Sequence, residues 1–300
     1  MNSELRQTLL PSTLVPCLVL LSLWCPNVAK AQQNTSQSPV SETQKLRSTA
    51  EIGSASEKGT DAAAKDAAEN PVAAAISLPL QNNTYYGVGP YRRAENELLI
   101  EPVVPIRISA NWMVISRTIV PVVVVPRLSA SAEVDYGLSN IQPQFYLSPV
   151  HTGRFVWGVG PQLWLPTATD DKLGINKWGG GPAAVGLFRS GHLLAGTLIG
   201  NEFAGVNHVH ENQMTINWFV FYNVKHGWYV LTTPIVTADW TAERDQRWTV
   251  PVGGGAGKIF KIGNQPLNAR AQFFNDVRTT AGGSDWQMQI QLQFLFIRHR

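Results

Sequence analysis

From Trp286 to Phe294 apolar and polar positions alternate without a break. Trp286, Met288, Ile290, Leu292, Phe294 and Phe296 take one parity, and Gln287, Gln289, Gln291 and Gln293 take the other. Side chains alternate faces along a strand, so this segment carries one apolar face and one face of amides. A strand of a soluble sandwich would normally carry charges on its outward face. An uncharged polar row backed by an apolar face capped with Trp suits a strand between lipid and a wet lumen. The same reading from Asn82 onward predicts twelve strands, at 82–89, 96–107, 111–125, 137–148, 153–166, 176–189, 192–204, 212–224, 227–240, 246–260, 266–277 and 284–297. Their connections alternate. Short turns at Ser109-Ala110, His151–Gly153, Ser190-Gly191, Lys225–Gly227 and Gly263–Gln265 exchange with longer polar loops at 90–95, 126–136, 167–175, 205–211, 241–245 and 278–283. That alternation predicts an all-β fold: a closed antiparallel transmembrane β-barrel of about twelve strands, with both chain ends on the short-turn side.

Tryptophan positions agree. Trp112 and Trp228 stand at strand starts beside short turns, while Trp178, Trp240, Trp248 and Trp286 stand at strand ends beside long loops. Two interfacial girdles would lie there. Prolines resist the pattern. Pro102, Pro105, Pro121, Pro143, Pro161, Pro182, Pro234 and Pro251 fall inside expected strands. Proline removes a ladder donor and a closed barrel has no edge to hide it, so bulges or local kinks are expected at these positions.

Upstream of the strands the pattern changes. Residues 1–31 read as a secretory signal peptide: Arg6 supplies a basic start, Leu14–Trp24 an apolar core, and Ala29-Lys30-Ala31 a cleavage site. Residues 32–69 are Gln, Ser, Thr, Ala, Glu and Lys without an aromatic, a disordered low-complexity lead-in with a frayed helix at Asp61–Ala68. Asn70-Pro71 suits a helix cap and first position, so 70–81 is either a short helix over Val72–Ser77 or extended linker. The barrel proper is expected over 82–300.

Composition narrows the class. Charged residues make up only 15% of the chain, against roughly a quarter in soluble domains. No apolar run after the signal approaches the ~18 residues of a transmembrane helix, so a membrane location requires a closed sheet. Both cysteines, Cys17 and Cys25, lie in the signal, which leaves the exported chain without disulfide or thiol chemistry. A net charge of +3 is too small to suggest a nucleic-acid partner. The partners expected are outer-membrane lipid of a Gram-negative cell, the barrel-assembly machinery through the last strand, and a small solute.

Several motifs are similar to a family of bacterial outer-membrane proteins commonly mislabelled "neuromedin U", allied to outer-membrane channels assigned to the meta-pathway of phenol degradation. They are Asn70-Pro71-Val72 with Ile76–Asn83, Leu165–Asp171, Lys177-Trp178, Arg247–Pro251 with Gly253–Gly255, Ile259–Pro266 and the final strand. The resemblance runs from about Asn70 to Phe296 and implies an outer-membrane barrel that acts as a transporter or channel. It carries over no catalytic or binding residue. The chain departs from the pattern at its end, where Ile297–Arg300 follow the aromatic that usually closes a barrel.

Taking the parity opposite the apolar face, the lumen is expected to be lined by Glu101, Arg107, Arg117, Gln142, Gln144, Asn217, Asp239, Arg247, Arg270, Gln272, Gln287, Gln289, Gln291 and Gln293, with Gln162 and Thr233 on the same face. Register across the turns places Glu101 opposite Arg117 and Asp239 opposite Arg247. Cross-strand ion pairs are the plain reading. The sharper one is a constriction in which Arg117, Arg270 and the Gln row select small polar or anionic solutes. Other candidates are weaker. His208 and His210 have the spacing of a strand-borne metal pair but lie in an expected loop without a third ligand. Asp170-Asp171 read as solvated loop acids rather than a cation site. Gly253–Lys258 lacks the outer positions of a phosphate loop. No Ser, His and acid share a face in adjacent strands, so no catalytic site, metal or cofactor is expected. The function expected is a passive channel or transporter for a small solute. The alternatives are a non-conducting structural or lipid-modifying enzymatic barrel and, more remotely, a secreted sandwich.

Overall fold

The structure, a computed structural model, describes residues 64–71, 73, 75–129, 133–205 and 211–296. Expectations for the signal segment, for the lead-in before residue 64, for His208 and His210 and for residues 297–300 lie outside the described residues. Fifteen strand segments form one antiparallel sheet: β1 (Ile76–Val88), β2 (Arg93–Ile100), β3 (Val103–Arg107), β4 (Trp112–Val125), β5 (Asp135–Leu138), β6 (Gln142–Pro149), β7 (Phe155–Trp164), β8 (Gly179–Ser190), β9 (Leu193–Ala204), β10 (Glu211–Asn223), β11 (Trp228–Thr232), β12 (Ile235–Asp239), β13 (Trp248–Ile262), β14 (Gln265–Arg278) and β15 (Trp286–Phe296). Each strand pairs with the next around the sheet, and β1 closes the circle on β15 from Ile76↔Phe296 to Tyr86↔Trp286. Three staves are broken in two, β2 with β3, β5 with β6 and β11 with β12, which leaves a closed barrel of twelve staves.

Burial follows the alternation. Along β15 Gln287, Gln289, Gln291 and Gln293 are buried, while Trp286, Ile290, Leu292 and Phe296 are exposed. Aromatic pairs mark the rim opposite the short turns: Tyr86 stacks on Trp286 at 3.8 Å and Trp240 meets Trp248 edge-on at 5.6 Å. The fifteen residues of β13 and the eleven of β15 exceed or match the ~9–11 a tilted strand needs to cross a bilayer.

Pro102, Pro105, Pro143 and Pro234 fall in the broken staves. Pro102 lies in the gap between β2 and β3, and Pro234 in the gap between β11 and β12. Pro161 stands opposite Pro182 in the β7–β8 register, and Pro251 adjoins the register shift in β13. The carbonyls of Pro79, Pro102 and Pro121 accept the N–H groups of Glu101, Thr118 and Ser139. At Pro102, Pro234 and Pro251 the ladder loses a donor where it is already interrupted, while Pro161 and Pro182 face each other within an unbroken register.

Two boundaries differ from the sequence reading. The first strand starts at Ile76 rather than Asn82, because Ser77, Pro79, Gln81 and Asn83 already alternate inward against β15. Ile76 and Ser77, placed at the end of the expected short helix, therefore belong to the strand; among the described residues a helix, α1, spans residues 64–69. The first connection is a tight turn over residues 89–92 rather than a long loop, with Gly89 and Arg92 in the left-handed region.

Candidate functional site

The inner wall carries a polar belt at mid-barrel. On the side of β3, β4 and β6, Arg117 donates through Nη2 to Glu101 Oε2 and through Nη1 to Gln144 Oε1, both at 2.9 Å. Tyr146 Oη donates to the same Gln144 oxygen at 3.1 Å. Gln144 reaches on to Gln162, which lies across Gly200 of β9; a Cβ there would stand 2.2 Å from the Gln162 amide nitrogen. On the side of β14, β15 and β1, Arg270 Nη2 donates to Gln291 Oε1 at 2.6 Å and Gln81 Oε1 at 3.1 Å. Gln272 donates to Gln289 and to Thr233 Oγ1 and accepts the Thr233 N–H. Asn217 donates to the carbonyls of Thr233 and Pro234. Side chains of β10 and β14 thereby satisfy the backbone where β11 and β12 part, as buried polar groups require. The belt surrounds a cavity of about 190 Å³.

Below the belt, toward the short-turn end, the interior is apolar. Met113, Ile115, Tyr146, Val156, Leu187, Phe219, Phe221, Tyr229 and Leu231 pack into one cluster. Gly257 leaves space there for the Tyr229 ring, whose oxygen would be 2.3 Å from a Cβ at that position. The remaining gap is filled by the chain's own N-terminal segment. Ala64, Ala67, Ala68 and Ala73 are buried against Leu295, and Ile259 packs against both clusters. Gln293 and Asn268, on β15 and β14, donate to the carbonyls of Ala67 and Ala68. On the far wall Arg189 of β8 pairs with Asp66, and Asn223 of β10 donates to Glu69. α1 is therefore a crossbar tied to opposite sides of the barrel, and residues 67–71 form part of the cavity lining. Burial raises the Glu69 pKa above the ordinary glutamate value, against the pull of Asn223 and of Lys65 and Arg189.

Most of the expected inner residues meet at this cavity: Glu101, Arg117, Gln142, Gln144, Asn217, Arg270, Gln289, Gln291 and Gln293 line it, and Gln272 is buried beside it. Gln287 stands nearer the long loops, donating to Asp276 at 2.7 Å. Three residues are elsewhere. Arg107 is exposed at the short-turn rim, where its guanidinium takes the carbonyls of Ser109 and Ala110. Asp239 and Arg247 do not form the expected ion pair: Asp239 accepts from Thr241, and Arg247 donates to the carbonyl of Ala242. At a strand end the free loop groups are closer than a cross-strand partner, and parity does not report height along the stave. Asp170 accepts the N–H of Lys172, whose ammonium pairs with Asp135 and has its pKa raised by that contact. No group of three or more metal-ligating side chains occurs among the described residues.

Sequence reasoning missed Gln81, since the first strand was begun one residue beyond it, and Asn83, which lay within that strand but was not assigned to the lumen. It also missed Glu202 and Asn268, which share inward parity with Leu198 and Arg270 and could have been found by that rule. Nothing local marked Glu69 as buried. Its burial comes from docking.

No family model matches the sequence, and no curated protein does. Among solved structures the fold is similar to an outer-membrane channel from Pseudomonas putida F1, with a TM-score of 0.56 at 12% identity over 74% of this chain and 96% of that one. Weaker likenesses are to a bacterial polysaccharide outer membrane secretin (TM-score 0.38, 12% identity, 76% and 99% covered) and to outer membrane phospholipase A from Escherichia coli (0.37, 9%, 75% and 98%). The first likeness defines the class of fold: an outer-membrane-type β-barrel.

Proposed function

We propose that this chain is exported to the outer membrane of a Gram-negative cell and acts there as a passive channel for a small solute, without a catalytic step. The observation that carries the reading is the polar cavity at mid-barrel, closed toward the short-turn side by a segment held by a few side-chain bonds. Short turns face the periplasm in barrels of this type, so the segment is a periplasmic stopper and must shift for solute to pass. Net contributions of about 0.5–1.5 kcal/mol per hydrogen bond make such a shift accessible. The fold likeness to an outer-membrane channel supports the reading, as does the motif resemblance to the "neuromedin U"-labelled family. The packed apolar cluster over β3–β11 favours the second reading, a barrel that does not conduct.

Planar-bilayer recording separates the two. The full exported chain is expected to show infrequent unitary openings, and a variant lacking residues 64–71, checked for folding by heat-modifiable migration, larger and longer ones. Absence of unitary current and of liposome swelling in both proteins would reject the channel.

A further inference from the structure

The two arginines of the belt differ in what neutralises them. Arg117 has Glu101, whereas among the described residues Arg270 has only the amide oxygens of Gln81 and Gln291, and its Nε has no hydrogen-bond partner there. Glu101 and Arg117, which also act on Arg270, are already paired with each other. A guanidinium withdrawn from water without a counter-charge is costly, and this one faces a cavity rather than packed protein. Gln162 belongs to the same lining, with its Nε2 packed over Gly200. The same cavity is lined by Leu198, Phe219 and Ile235. A guanidinium without a carboxylate partner beside apolar lining residues is the composition of a small-ligand pocket, and the planar fork of arginine matches a carboxylate. Two further acids of the lining, Glu69 and Glu202, would repel an anionic head and turn it toward Arg270.

We infer that the mid-barrel cavity is a binding site for a small monocarboxylate with an apolar body, its carboxylate on Arg270 and its body against Leu198, Phe219 and Ile235. This deepens the channel reading by naming the solute class. The site is selective for charge through Arg270 and for size through a volume near 190 Å³.

Calorimetric titration of the folded full exported chain in detergent tests the site without requiring conduction. The probes are isobutyrate and benzoate, their neutral amides isobutyramide and benzamide, and chloride. Both carboxylates are expected to bind at least tenfold more tightly than their amides and than chloride. Arg270→Gln should remove that preference, and Arg270→Lys should keep part of it. Equal binding of acids and amides, unchanged binding in a folded Arg270→Gln barrel, or chloride binding as tightly as the acids would each overturn the assignment. Carboxylate binding without unitary current would reject only the channel; current without carboxylate binding would reject only this site.

Discussion

At one level of the barrel, two stretches of inner wall hold an arginine in opposite ways. The β2–β4–β6 wall surrounds Arg117 with an acid and an amide, so its charge is answered inside the protein. The β14–β15–β1 wall surrounds Arg270 with amides alone. The first arrangement is self-sufficient and reads as structure. The second leaves a charge for something else to answer. An arginine on an inward parity is thus not by itself evidence of a solute path: what decides is whether the wall also supplies its partner.

The largest expected effect comes from breaking the self-sufficient side. Arg117→Ala leaves Glu101 buried without its cation, and loss of one member of a buried pair costs about 3–5 kcal/mol. Guanidinium unfolding in lipid vesicles, followed by tryptophan fluorescence, should show it as a lower midpoint. Arg270→Ala should cost about 1 kcal/mol or less in the same measurement, because two lost hydrogen bonds are offset by removal of an unanswered charge. Equal losses in the two variants would erase the distinction between the walls.

The smallest effect expected is on the crossbar. Burial lifts the Glu69 pKa, with Asn223, Lys65 and Arg189 opposing and Asp66 assisting. A raised acid pKa means that the seated segment keeps its proton longer than the released one. The seat is therefore tightest at low pH and weakens as pH climbs above the ordinary value of 4.5 toward the raised one. The open fraction in bilayers should grow across that window, and Glu69→Gln should flatten the dependence. An open fraction that falls with rising pH would contradict the sign.

Much of the architecture was legible because strand alternation is a local property. The Gln row of β15, the inward parity of Arg117, Gln144 and Arg270, and the alternation of turns and loops needed no knowledge of neighbours. Height along a stave was not legible. Arg107, Asp239 and Arg247 share the inward parity but fold onto turn and loop groups, since nothing in a single strand says how far a residue lies from the rim. The proline positions were visible and their meaning was not. Only pairing across staves shows that Pro102 and Pro234 fall in ladder gaps that Thr118, Gln272 and Asn217 satisfy.

The sequence by itself determined which faces are apolar, roughly where each stave runs, and that the sheet must close, because period-two patterning and the cost of unpaired backbone in lipid leave no other solution. The tertiary structure decided the rest. Closure of β1 on β15 brings Gln81 and Gln291 to Arg270, residues nearly two hundred positions apart for the first pair. The same closure makes a mouth into which α1 fits, tying Asp66 to Arg189 and Ala67 to Gln293 across opposite walls. Those contacts depend on the circumference of a closed sheet, a quantity that no stretch of the chain encodes alone.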